Sequence, residues 1–260
     1  MRILWVFAHP ERRSLNGSLL DDGLRALAEL GHEVEISDLY GMGWNPVVDR
    51  ADFTGVQDGR TRDDRLYVGD AQERAHAQDG MSPDISAEQR KISWADAIVL
   101  HFPLWWFGPP AILKGWFDRV LVQGFAFGLE DEQGRTLRYG GGGLHGKRGL
   151  IVTSVGARQS SFGPRGVHGH VDEVLFPVQH GTFFYTGMAA LRPFVVYGAD
   201  RMTEADYKEY AQDLRDRLRD LSTETPVPYR REDGGDYDEG LVLRDELAPG
   251  RTGLGVHRTG

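Results

Sequence analysis

Three aromatic residues, Trp105, Trp106 and Phe107, stand in a row between Pro103 and the pair Pro109-Pro110. Proline fixes φ and removes a backbone donor, so the segment reads as a stiff loop. Flat apolar rings with backbone N–H groups between them suit a planar aromatic ligand such as an isoalloxazine ring. A single aromatic there would read as core. Consecutive ones held by prolines read as a binding surface, and Leu104 belongs to it.

A second candidate is the polar run His9-Pro10-Glu11-Arg12-Arg13-Ser14-Leu15-Asn16. It follows an apolar run and precedes leucines at helical spacing. A helix N-terminus offers unpaired N–H groups and the positive end of a dipole, which together favour an anion such as phosphate. Arg12, Arg13, Ser14, Asn16 and Ser18 add donors. No glycine-rich fingerprint accompanies them, so taken alone the run reads better as an ordinary N-cap at Ser14 or Asn16.

The third candidate is Thr153-Ser154-Val155-Gly156, two hydroxyls and a backbone able to approach a ring edge. Downstream stands Gly166-Val167-His168-Gly169. A histidine side chain can supply or take up a proton near neutral pH, although a lone histidine on a glycine-rich loop is more often a bystander. His168 and His170 have no carboxylate or thiolate partners at ligand spacing, so no metal site is expected.

These candidates follow predicted strands. Ile3–Ala8, Glu33–Leu39, Ala97–Leu100, Arg148–Ser154 and Arg192–Tyr197 are short apolar or alternating runs. Helical patterns lie between them: from Leu15 to a C-cap at Gly31, Ile85–Trp94, Ala111–Val120 with both prolines in its first turn, and Val171–Gln179. Thr203 caps a last helix that runs to Leu221. The pattern predicts an α/β, flavodoxin-like, doubly wound parallel sheet in order 2-1-3-4-5, with ligands outside the carboxyl ends of the strands. The polar insertion at 40–84, which includes the charged run Arg60–Asp64, is expected to pack on a partner or cover a site. Gln123–Lys147, with glycine at 140–143, is expected to be a flexible loop. Residues 1–221 are expected to form one domain and 222–260 a surface tail.

Composition narrows the function classes. The chain has 260 residues and a formal net charge of −9, which disfavours a nucleic-acid partner. Without cysteine there are no disulfides, thiolate ligands or thiol nucleophiles. No apolar run approaches the ~20 residues of a membrane span, and the N-terminus lacks a signal-peptide pattern. A soluble, cytoplasmic protein is expected.

The segment Met81–Leu121, MSPDISAEQRKISWADAIVLHFPLWWFGPPAILKGWFDRVL, resembles the flavoprotein NAD(P)H:quinone oxidoreductases, the DT-diaphorase family and its bacterial relatives. Matching signals run from Arg2 to about Leu221. The resemblance implies a flavin, FAD ahead of FMN, reduced by NAD(P)H and reoxidised by a quinone. It also implies a homodimer with sites at the interface. Carried over by position, His9, Ser14, Leu15 and Asn16 hold the pyrophosphate, and Pro103, Leu104, Trp105, Trp106 and Phe107 flank the ring. Thr153, Ser154 and Gly156 fit the family's flavin grip, where Val155 departs from its glycine. His168 matches the family's catalytic histidine, and Phe162 stands where relatives carry a tyrosine. Trp106, Phe107, Phe127 and Leu129 would meet the substrate; relatives have tyrosines at the last two. Two rival readings are a regulatory flavoprotein accessory to a potassium-efflux channel and a flavodoxin-type electron carrier. The long insertions and the aromatic surface argue against the carrier.

Overall fold

The computed structural model describes residues 1–54 and 65–259; the charged run Arg60–Asp64 lies outside them. The most apolar runs take the centre of a six-stranded sheet. β1 (Arg2–Phe7) lies between β2 (Glu33–Asp38) and β3 (Ala97–Pro103), and β4 (Arg148–Val155) pairs β3 on its other side, all parallel. Strands buried on both faces need apolar residues throughout, and every residue of β3 is buried. β2, at the edge, is mostly exposed. The order β2-β1-β3-β4-β5 is the expected one.

Side-chain alternation divides the core in two. Leu4, Val6, Ile98, Leu100, Phe102 and Ile151 face one layer. Ile3, Trp5, Phe7, Val99, Leu150 and Val152 face the other. The second layer is covered by α1 (Leu15–Glu29), against which Gly23 lets the Trp5 ring approach: a Cβ there would sit 2.5 Å from it. The first layer is covered by α2 (Val68–Ala77), α3 (Pro83–Trp94) and α4 (Ala111–Val120). Helix α2 lies in the polar insertion, where the sequence pattern had suggested none.

Several boundaries differ from expectation for local reasons. β3 runs on to Pro103, because Phe102 and Pro103 still pair with Thr153 and Ser154. Helix α4 begins at Ala111, with Pro110 as its cap. The helix expected over Val171–Gln179 is broken into α5 (Val171–Val174) and α6 (Phe176–Val178), followed by a wide π-type turn through Gln179–Phe184. Pro177 lacks the N–H that a continuous helix would use there. The fifth strand is split: β5 (Ala189–Ala190) and β6 (Phe194–Tyr197) pair the two ends of β4 in turn. Pro193, with no N–H to donate, falls in the gap. Helix α7 (Glu204–Arg219) has the expected Thr203 cap, with Asp206 completing a capping box, and packs on α1.

The loop at 140–143 is packed, contrary to the expectation of flexibility. A Cβ on Gly143 would fall 2.0 Å from the Phe125 carbonyl oxygen, and one on Gly142 2.6 Å from the Thr186 backbone. The C-terminal residues lie against the sheet domain. Val227 N–H donates to Ala190 O at 2.8 Å, Tyr229 is buried, and Arg258 pairs with Asp172 at 2.8 Å. No helix among the described residues is long and apolar enough to cross a membrane.

Helix α4 carries the residues that fix the aromatic loop in place. Arg119 is buried and pairs with Asp52 at 2.6 Å and with Asp84 at 2.8 Å, its guanidinium 4.6 Å from the Trp44 ring centre. Trp116 Nε1 donates to the buried Glu88 at 2.8 Å. Truncating one partner of a buried pair leaves the other charge uncompensated, which costs about 3–5 kcal/mol. Arg119→Ala should lose that much unfolding free energy in urea at neutral pH. A loss below about 1 kcal/mol, the range of exposed pairs, would contradict this account.

Candidate functional site

Parallel pairing brings the strand ends level: Phe7 pairs with His101, His101 with Val152, and Phe102 with Thr153. The loops that leave β1, β3 and β4 therefore meet at one edge of the sheet, as the topology requires.

The first loop wraps the start of α1. Ser14 is the N-cap and accepts from Gly17 N–H at 3.2 Å, so the cap is Ser14 and not Asn16. His9 Nδ1 accepts from Glu11 N–H at 3.1 Å and lies 3.1 Å from Ser14 Oγ. The loop passes so close to the helix that a Cβ on Gly17 would lie 1.8 Å from the Arg12 carbonyl oxygen. Leu15 packs on the Trp5 layer of the core. Asn16 turns inward and its Nδ2 donates to Ser154 Oγ at 3.0 Å, both residues being buried. That bond ties the first loop to the third.

The second loop is a two-residue hairpin. Trp105 N–H donates to Gly108 O and Gly108 N–H to Trp105 O, both at 3.0 Å. The two central residues, Trp106 and Phe107, have φ of 51° and 61°. Positive φ at both positions is the geometry of a type I′ turn, which favours Asn and Gly. Large side chains in that region cost on the order of 1–3 kcal/mol each, and such strain clusters at functional sites. The strain holds Trp106 97% exposed, with Trp105 at 44% and Phe107 at 50%. Pro103 is buried at the end of β3, and Leu104 N–H donates to Ser154 O at 3.0 Å.

The third loop supplies polar atoms. Thr153 is fully buried and its Oγ1 has no hydrogen-bond partner. Val155 is buried. A Cβ on Gly156 would lie 2.1 Å from Asp200 Oδ2, and Arg201 Nη2 donates to Gly156 O at 3.3 Å. The sequence pattern had not singled out Asp200 or Arg201. They lie in a polar turn before α7, and only the close approach to Gly156 marks them.

His168 does reach the aromatic turn. Its ring centre is 5.4 Å from Phe107 and 4.9 Å from Phe162, and Phe162 lies 6.0 Å from Tyr197. The His168 N–H donates to Ser161 O at 3.1 Å, closing the loop that carries it. His9 meets the same turn from the other side, 6.4 Å from Trp105. Beneath the loops His101 is fully buried between Trp5 and Phe7. Burial, reinforced by nearby His9 and Arg12, pushes its pKa down to about 3, so it stays neutral.

Phe127 and Leu129 are not brought to this cluster. Phe127 lines a separate cavity of about 520 Å³ with Lys114, Phe117 and Tyr185, the last at 6.3 Å between rings. Leu129 lies under Gly143. Among the described residues no group of three or more His, Cys, Asp or Glu side chains could hold a metal ion.

Fold and site together define a doubly wound α/β protein with a capped helix N-terminus and an exposed aromatic platform at one sheet edge. The family described as flavodoxin-like fold matches residues 1–218, and the chain belongs to it. It is 40% identical over 261 residues to the ribosyldihydronicotinamide dehydrogenase-like protein traD of Penicillium crustosum, covering 99% of this chain and 95% of that one. It is 32% identical to NAD(P)H dehydrogenase (quinone) 1 of Cavia porcellus, covering 95% and 87%. A structure from Klebsiella pneumoniae assigned as a quinone reductase superposes over 100% of both chains with a TM-score of 0.93 and 42% identity.

The contact at Gly17 gives a direct test of the first loop. Gly17→Ala should displace the backbone around Arg12 and cost about 1–3 kcal/mol, the usual range for overpacking. For a domain of this size that is roughly 2–4 °C per kcal/mol in a thermal melt. An unshifted melting temperature would mean that the loop does not press on the helix.

Proposed function

We propose that the chain is a flavin-dependent NAD(P)H:quinone oxidoreductase, with FAD as cofactor, that turns over by a ping-pong route as a cytoplasmic homodimer. The strained aromatic turn carries the reading. It holds an indole almost fully in solvent beside the carboxyl end of a central strand, a cost that a planar ligand covering the ring would offset. Two further observations fit a flavin. Thr153 Oγ1 is buried without a partner, and the helix N-terminus, tied through Asn16 to the next residue Ser154, is closely wrapped by its loop. The choice of FAD ahead of FMN rests on the sequence resemblance of Met81–Leu121.

A bound flavin would supply the centre that accepts hydride from NAD(P)H and passes it to a quinone. The chain's own residues would bind and orient. His9, Ser14, Leu15 and Asn16, with the first turn of α1, hold the pyrophosphate. Pro103, Leu104, Trp105, Trp106 and Phe107 flank the ring, and Thr153, Ser154, Val155 and Gly156 grip its polar edge. A ring nitrogen of His168 stabilises the negative charge that reduction places at that edge. Phe162 beside it has no hydroxyl, so His168 works without the tyrosine seen in relatives. Trp106 and Phe107 form one stacking surface, which donor and acceptor must use in turn; hence the ping-pong order. Phe127 and Leu129 lie away from that surface in their own chain, so a second copy would have to bring them to it; hence the homodimer. In this reading residues 1–221 form the flavin domain and 222–260 a tail laid on it.

One preparation tests most of this. The purified chain should be yellow, release a chromophore with the mass of FAD, oxidise NAD(P)H in the presence of a simple quinone, and sediment as a dimer. A colourless protein that binds neither FAD nor FMN would remove the basis of the proposal. His168→Gln should retain flavin and slow its reduction at saturating NAD(P)H by up to about 10²-fold. An unchanged rate in stopped flow would make His168 a bystander.

A further inference from the structure

A cavity of about 570 Å³ lies where β6 ends and α7 begins, and Arg158, Tyr197, Arg201, Glu209, Tyr210 and Asp213 stand on its wall. Phe162 connects it to the aromatic turn. The Phe162 ring centre is 6.5 Å from Phe107 on one hand and 6.0 Å from Tyr197 on the other. The cavity also adjoins the third loop, because Arg201 Nη2 donates to Gly156 O at 3.3 Å and Arg158 follows that glycine by two residues.

Charges of both signs line this space without meeting. Among the described residues the Arg158 guanidinium and the Glu209 and Asp213 carboxylates have neither an ion-pair nor a hydrogen-bond partner. Arg201 has only the Gly156 carbonyl. Asp206, on the same wall, is already engaged: Thr203 N–H and Oγ1 donate to it at 2.9 and 2.7 Å. Glu209 and Asp213 are one turn apart on α7, so they face the same way and neither relieves the other. The tyrosines supply flat apolar surface, held in place because Tyr197 N–H donates to the Tyr210 hydroxyl at 3.2 Å.

We propose that this cavity is the half-site for the adenosine end of the hydride donor and that it selects NADH over NADPH, an inference that rests on the oxidoreductase reading above. A ligand that satisfies the wall carries anionic oxygens at one end, hydroxyl or amino donors at the other, and a flat apolar part. A nucleoside diphosphate has all three. Arg158 and Arg201 hold the pyrophosphate through charge-assisted hydrogen bonds. Glu209 and Asp213 accept from the ribose hydroxyls, the role a carboxylate plays in dinucleotide sites that take NAD. With the nicotinamide seated on Phe107, the donor has only to pass Phe162 to bring its adenosine here. That span is two ring contacts, whereas two riboses and a pyrophosphate separate the two bases of a dinucleotide. The two guanidinium groups match the two charges of a pyrophosphate. None is left for a 2′-phosphate, which two free carboxylates repel.

Calorimetric titration of the full chain with ADP-ribose reads the half-site without any hydride transfer. ADP-ribose should bind, and its 2′-phosphate derivative roughly tenfold more weakly, as like charges brought together require. The Arg158 side chain makes no bond within the fold, so Arg158→Ala should fold as the unsubstituted chain does. Its affinity for ADP-ribose should fall about ten- to a hundredfold, the worth of hydrogen bonds to a charged group. The KM for NADH should rise by the same factor relative to that for N-benzyl-1,4-dihydronicotinamide, a donor with no phosphate. Glu209→Gln combined with Asp213→Asn should narrow the preference for NADH. Association of ADP-ribose at the first loop would survive Arg158→Ala. The half-site is overturned if ADP-ribose fails to bind at millimolar concentration, if Arg158→Ala binds it equally well, or if the 2′-phosphate derivative binds as tightly. A chain that binds ADP-ribose through Arg158 but oxidises neither donor would sink the oxidoreductase reading alone and retain the nucleotide site.

Discussion

The shared register of β1, β3 and β4 is the constraint on which the rest of the structure depends. Because Phe7, His101 and Val152 lie in one row of the sheet, the loops that follow them emerge at one level. A slip of one residue would exchange the two faces of a strand. Trp5 and Phe7 would then point toward α3 and α4, and Leu4 and Val6 toward α1. The apolar alternation of three strands against two helical layers therefore fixes the register, and the register fixes where His9, Trp105 and Thr153 stand relative to one another.

On that base the site is held by few bonds, and they cross between loops. Asn16 joins the first loop to Ser154, and Leu104 joins the second to the same residue. Ser154 is thus the point where all three loops are tied. The aromatic turn is strained at two successive residues, and such a conformation persists only when its surroundings enforce it. Here the enforcing parts are Pro109-Pro110 on one side and helix α4 behind, which Trp116, Arg119 and their carboxylate partners lock to α3 and the insertion.

The C-terminal residues show the same logic in another place. They are polar and short of regular structure, yet they join the fold through Val227, Tyr229 and Arg258. Besides the Val227 bond to β5, their contacts are to α5, the π-type turn and the glycine loop, which are irregular parts of the chain. Two irregular segments packed face to face leave a cavity of about 300 Å³ where two flat layers would not.

Much of the fold was legible because it is written in local patterns. The strands of the central sheet, the Thr203 cap and the helix behind the aromatic loop all follow from apolar period, proline placement and capping side chains, which act within a few residues. The candidate loops were legible for the same reason: an aromatic run between prolines is visible in any context. Helix α2 was not, because it is short and set in a long polar stretch, so tertiary packing of Ala71 and Ala75 decides it. The split fifth strand and the broken helix near Pro177 depend on what the neighbouring chain offers a missing donor. Strain at Trp106 and Phe107, the approach of Asp200 to Gly156, and the unpartnered Thr153 Oγ1 depend on distances between residues far apart in sequence. A sequence fixes which side chains alternate and where a turn is stiff. Only the folded chain, through close packing of segments that meet once, decides which polar atoms find partners and which are left without them.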